Sequence, residues 1–135
     1  MESNWRFKSL EILEGENLAQ VSKEQSSIVK RLCTLWKTPV YEFEVDDIRF
    51  MIGQGHGLKY MLIEAIALLE ENLLTEGDYY QGDLLNAVLE LNATQWGQFK
   101  EQWDKVDSLL QVQIEHLRII RPKLEIDNFY NNRPT

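Results

Sequence analysis

The chain has 135 residues, a formal net charge of -8, 44% hydrophobic and 27% charged residues, a size and balance suited to one domain with a real core. That composition excludes wholesale disorder, a collagen-like repeat and a disulfide-stapled miniprotein, since Cys33 is the single cysteine. The longest apolar run, Tyr60 to Leu69, is broken by Glu64 and is too short to span a bilayer, and Met1 to Arg6 has no apolar signal core, so a cytoplasmic protein is expected.

The predicted elements follow in chain order. Ser9 to Leu13 suits a short turn of helix ended by Gly15, and a polar connector follows near 14–26. Ser26 or Ser27 is placed to cap a helix through Trp36, with Ile28, Leu32 and Leu35 on its apolar face, and Thr38-Pro39 terminates it. Tyr41, Phe43 and Val45 alternate, whereas Asp46 and Asp47 look like first-turn acids; a short extended lead and then a helix ending at Gly53 reconcile the two.

Leu58, Met61, Leu62, Ala65, Ile66 and Leu69 keep the i, i+3, i+4, i+7 spacing, and the flanking positions are apolar as well, which predicts a central helix over about 58–71. A turn-rich stretch leads to Asp83, placed to cap a helix carrying Leu84, Leu85, Val88 and Leu89. Thr94 is read as the cap of a final pattern through Trp96, Phe99, Trp103, Val106, Leu110, Leu117 and Ile120, either one helix or two joined near Asp107, stopped by Pro122. Residues near 122–135 read as a loose tail. The expected fold is all-α: a single-domain bundle of five to seven helices around the central one.

Charge is unevenly placed. Residues 39–91 hold 11 acids against Arg49 and Lys59, while the flanking segments are close to balanced. Such a segment repels phosphates, which argues against direct nucleic-acid binding and for a basic partner, although a merely solubilising acidic surface fits the same numbers.

The chemical readings are weak. Gly53-Gln54-Gly55-His56-Gly57 precedes a helix, but it follows a helical pattern, lacks the dinucleotide spacing and lacks a Lys-Ser/Thr pair, so an interhelical turn is the plainer reading. His56 has no recognisable nucleophile or orienting acid nearby, and Cys33 lies within a helical pattern. Glu76, Asp78 and Asp83 do not match a calcium loop. No catalytic residue, metal or cofactor is expected, and no enzyme activity.

Several ordered motifs point further. Ser27-Ile28-Val29-Lys30-Arg31-Leu32-Cys33 with Lys37-Thr38-Pro39, then Val45-Asp46-Asp47-Ile48-Arg49-Phe50-Met51-Ile52-Gly53-Gln54, Gly57-Leu58-Lys59-Tyr60 and Glu76-Gly77-Asp78-Tyr79-Tyr80-Gln81-Gly82-Asp83-Leu84-Leu85, occur in that order. From about Ser9 to Leu91 the chain resembles the immunity proteins of bacterial contact-dependent growth inhibition, the CdiI type, with Gln81 where that family usually has Pro. The resemblance implies a non-catalytic cytoplasmic protein that binds the C-terminal toxin domain of a CdiA-type adhesin, many such toxins being basic nucleases, and neutralises it by occlusion. On that reading Glu42, Glu44, Glu70, Glu71, Glu76, Asp78, Tyr79 and Tyr80 are the expected toxin contacts, and Gly53, Gly57, Gly77 and Asp83 are structural turns or caps. The alternative is an acidic helical adaptor for another basic protein.

Overall fold

Short polar residues begin the first helices, as their cap chemistry dictates. The Ser9 hydroxyl accepts from the Ile12 N–H to start α1 (Leu10–Glu14), and Ser26 does the same for Val29 to start α2 (Ser27–Trp36). The computed structural model describes residues 3–16 and 26–135, so most of the expected connector near 14–26 lies outside the described residues. Cys33, Leu35 and Trp36 are the buried side chains of α2, while Ile28 is 51% exposed. The expected face is thus corrected: burial is confined to the C-terminal half, where Trp36 also donates its indole N–H to the Glu16 carbonyl.

Two 3-10 turns, Trp5–Phe7 and Val40–Glu42, lie together, joined by the Val40 N–H to Lys8 carbonyl bond and an isolated bridge between Ser9 and Pro39. Helix α3 (Val45–Gln54) begins where the Glu44 N–H donates to the Asp47 carboxylate, 2.9 Å. It runs through Gly53 and stops at Gly55, which takes φ 73°. The expectation that Gly53 ends the helix as a turn residue is therefore wrong; Gly55 supplies the left-handed conformation of a C-cap, and Gly53 is helical and exposed.

Gly57 (φ 64°) opens α4 (Leu58–Glu71), and a Cβ there would lie 2.8 Å from the Leu10 side chain. Helix α4 matches the predicted central helix: Leu58, Tyr60, Met61, Leu62, Ala65, Ile66 and Leu69 are all buried. It lies against α3 and α7, and α3 also lies against α5 (Asp83–Leu89), whose Leu84, Leu85, Val88 and Leu89 have no exposed surface.

The final third divides more finely than its spacing suggests. Asn92, not Thr94, caps α6 (Ala93–Trp96), exchanging hydrogen bonds with Gln95. Helix α7 (Lys100–Gln111) and α8 (Ile114–Ile120) meet at Val112–Gln113 rather than at Asp107, and α8 ends just before Pro122. The chain then forms α9 (Ile126–Asn131), with Ile126 and Phe129 buried. The expected loose tail near 122–135 is corrected: Ile126, Phe129 and Tyr130 share one face, and the Phe129 ring stacks on Trp103 at 4.5 Å.

The protein is all-α among the described residues, with nine α-helices where five to seven are expected. The excess comes from helices of four to seven residues, too short to display a period of their own. One contiguous apolar cluster joins Trp5 and Leu10 to Ile126 and Phe129.

Candidate protein-binding surface

Helix α4 leaves the core through a short turn. The Leu74 N–H donates to Asn72 Oδ1 and the Thr75 hydroxyl to the Asn72 carbonyl, and residues 76–82 then form a loop closed by an antiparallel bridge between Glu76 and Gln81. Two buried carboxylates hold this loop from beneath. Asp83, first residue of α5 and 3% exposed, accepts from the backbone N–H of Gly77 at 2.6 Å and of Tyr79 at 3.0 Å. Its role is to fix the loop before its helix rather than to cap the helix.

Asp46, in the first turn of α3 and 5% exposed, accepts from the Asp78 N–H at 3.0 Å. The same carboxylate takes hydrogen bonds from Arg49 at 2.5 and 3.1 Å and from Arg31 at 3.0 Å; Arg31 also reaches Asp47. Gly77 sits where both carboxylates converge: a Cβ would lie 2.8 Å from Asp46 Oδ1 and 3.0 Å from Asp83 Oδ2. The requirement at Gly77 is thus space, which a larger side chain would take from the two acceptors.

Arg49 is shared between a carboxylate and a ring. Its guanidinium lies 4.7 Å from the Tyr79 ring centroid, while Arg31 lies 4.4 Å from that of Phe50. The Arg49 hydrogen bond, aided by the Asp78 N–H and Arg31, outweighs burial and holds the Asp46 carboxyl well below the usual carboxylate range. A carboxyl whose folded pKa is depressed stabilises the fold above its unfolded value, 3.8, and loses that contribution as pH falls through the folded value. The urea midpoint should therefore fall as pH is lowered below about 4. Asp46→Asn should start from a lower midpoint at pH 7 and show a shallower acid dependence.

All eight side chains expected to meet a partner are exposed. Glu76, Asp78, Tyr79 and Tyr80 belong to the loop, Glu44 caps α3 two residues before Asp46, Glu42 lies in the preceding 3-10 turn, and Glu70 and Glu71 end α4. Within the acidic central segment, Asp46 and Asp47 are neutralised by arginines, Glu64 pairs with Arg6, and Asp83 is occupied by amides. None of Glu42, Glu44, Glu70, Glu71, Glu76 and Asp78 forms an ion pair among the described residues.

The sequence reading missed Arg31, Asp46 and Arg49. Asp46 and Arg49 at i, i+3 were a usable signal, but Arg31 and the Asp78 amide join them only through the tertiary fold. The glycine-rich turn links α3 and α4, and His56 lies edge-on to Trp36 at 5.8 Å. Among the described residues, no group of three or more His, Cys, Asp and Glu side chains is arranged to hold a metal ion. No described helix is long and apolar enough to cross a membrane.

Fold and surface together define an all-α protein that displays a fixed acidic and aromatic loop. The chain belongs to the CDI immunity proteins, whose family model matches residues 12–106, from α1 into α7. Membership implies toxin-neutralising immunity, with a cognate CdiA C-terminal toxin domain as the partner. No curated protein and no solved structure matches the chain.

Proposed function

We propose that this immunity protein acts in the cytoplasm without catalysis, by covering a basic toxin domain of the nuclease class. The observation that carries this reading is the exposure of Glu42, Glu44, Glu70, Glu71, Glu76 and Asp78, none of which forms an ion pair among the described residues, whereas Asp46, Asp47, Glu64 and Asp83 of the same segment are engaged internally. A nuclease groove must be cationic to hold phosphate, so it offers the complementary charge, and carboxylates on the inhibitor speed encounter and set orientation.

The test is titration into the toxin domain encoded by the adjacent reading frame, with binding and toxin activity read at two salt concentrations. One-to-one binding that abolishes activity and weakens as salt is raised supports the proposal. Binding that leaves activity intact, or equal binding to unrelated basic proteins, favours an acidic adaptor instead. Glu70 and Glu71 end α4 in full view of solvent, so Glu70→Lys/Glu71→Lys should slow association about tenfold at low salt and flatten the salt dependence, with little effect on melting temperature. Unchanged affinity and salt slope would remove the end of α4 from the interface.

A further inference from the structure

Buried charge is costly, and here it is concentrated beneath a loop that contributes little to the core. Asp46 and Asp83 are 5% and 3% exposed, yet the amides they hold belong to Gly77, Asp78 and Tyr79, and the side chains that follow point outward. Tyr79 is 70% exposed and Tyr80 47%. An aromatic ring so exposed would ordinarily be mobile. This one is restrained at its backbone by Asp83 and at one ring face by Arg49, itself locked to Asp46.

The surface around Tyr79 has a definite shape. Tyr79 lines two grooves, one of about 380 Å³ that runs past Phe50 and the carboxylate-paired Arg31 and Arg49, the other of about 720 Å³ that runs past Leu124, Arg121 and Lys123. Tyr79 is therefore a ridge, preceded in sequence by Glu76 and Asp78, carboxylates with no ion pair among the described residues.

Resting on the proposed toxin-binding role, we infer that loop 76–82 is a preformed plug: Tyr79 enters a concave, cationic cleft of the toxin, and Arg49 is the residue that positions it. A convex ridge carrying negative charge at its base complements a cleft with Lys and Arg at its rim, and a ring already held in place loses little freedom on binding. The loop thus supplies the buried anchor, and the acids at the end of α4 serve approach.

The experiment is a double-mutant cycle on binding to the toxin domain encoded by the adjacent reading frame, run below the melting temperature of every variant. Tyr79→Ala should weaken binding about 30-fold, chiefly through faster dissociation, and Arg49→Met about tenfold. In the Tyr79→Ala background, Arg49→Met should cost no more than about twofold, because its effect passes through the ring. Asp78→Lys should lose at least tenfold more than Asp104→Lys, an equal charge change at an exposed position of α7. Additive losses at Tyr79 and Arg49 would overturn the positioning role, and equal losses at Asp78 and Asp104, or a neutral Tyr79→Ala, would overturn the plug. If these variants bind like the unaltered protein, neutralisation stands and the contact lies elsewhere; if the unaltered protein fails to bind, both readings fall.

Discussion

Asp46→Ala should destabilise the fold by about 3 kcal/mol, read as a lower urea midpoint at pH 7. The change removes the acceptor of four hydrogen bonds at once: two from Arg49, one from Arg31 and one from the Asp78 amide. Breaking a buried ion pair from one side costs about 3–5 kcal/mol, because the partner charge stays behind. The arginine side chains retain 18% and 34% of their exposure, so water recovers part of the pairing and the lower end applies. Asp46→Asn should cost less, since the amide oxygen still accepts from the loop, although its NH2 group faces a guanidinium that can only donate. Both variants should speed amide exchange at Asp78, the residue whose N–H loses its acceptor. A midpoint within experimental error of the parent, with Asp78 exchange unchanged, would show that the loop is fixed without Asp46.

That arrangement explains why the fold was more legible in the sequence than the site. Helix α4 could be read directly, because every turn of it is buried and its apolar spacing is sustained over its length. Ser9, Ser26, Gly15 and Pro122 also act as their local chemistry predicts, since caps and breakers work within a turn of chain. Gly53 misled because three glycines lie within five residues, and that Gly55 and Gly57 rather than Gly53 take the left-handed conformation depends on how α3 and α4 meet. Asp83 misled for a related reason, and Asp46, which does lie in the first turn of α3 as expected, has a further role hidden for the same one. An acid near a helix start has the same local sequence whether it caps that helix or reaches across to another segment, and the Asp78 amide, 32 residues from Asp46, is brought to it by tertiary structure. The exposure of Glu70, Glu71, Glu76 and Asp78 is legible, because the end of a strongly apolar helix and a turn meet solvent by pattern alone.

The largest loss of stability is expected from Phe129→Ala, about 4 kcal/mol, at a position the sequence pattern assigns to a loose tail. Phe129 has no exposed surface, stacks on Trp103 at 4.5 Å and meets Trp96 edge-on at 5.7 Å. Removing the ring leaves a cavity between two tryptophans that cannot collapse easily, since the Trp103 indole also donates to the Phe129 carbonyl and carries the Arg133 guanidinium at 4.8 Å. Tyr130 adds a polar clasp through its hydroxyl, which donates to Asp107 at 2.7 Å. The consequence should reach the binding loop. Asn128 donates to the Leu89 carbonyl and the Glu125 amide to Asn86, so α9 braces α5, and α5 begins with the Asp83 that holds Gly77 and Tyr79. Phe129→Ala should therefore lower the urea midpoint and also raise amide exchange at Gly77 and Tyr79 beyond what the global loss of stability accounts for. Exchange that rises only in step with global unfolding would confine α9 to core support; an unchanged midpoint would mean that the last helix does not hold α5 in place.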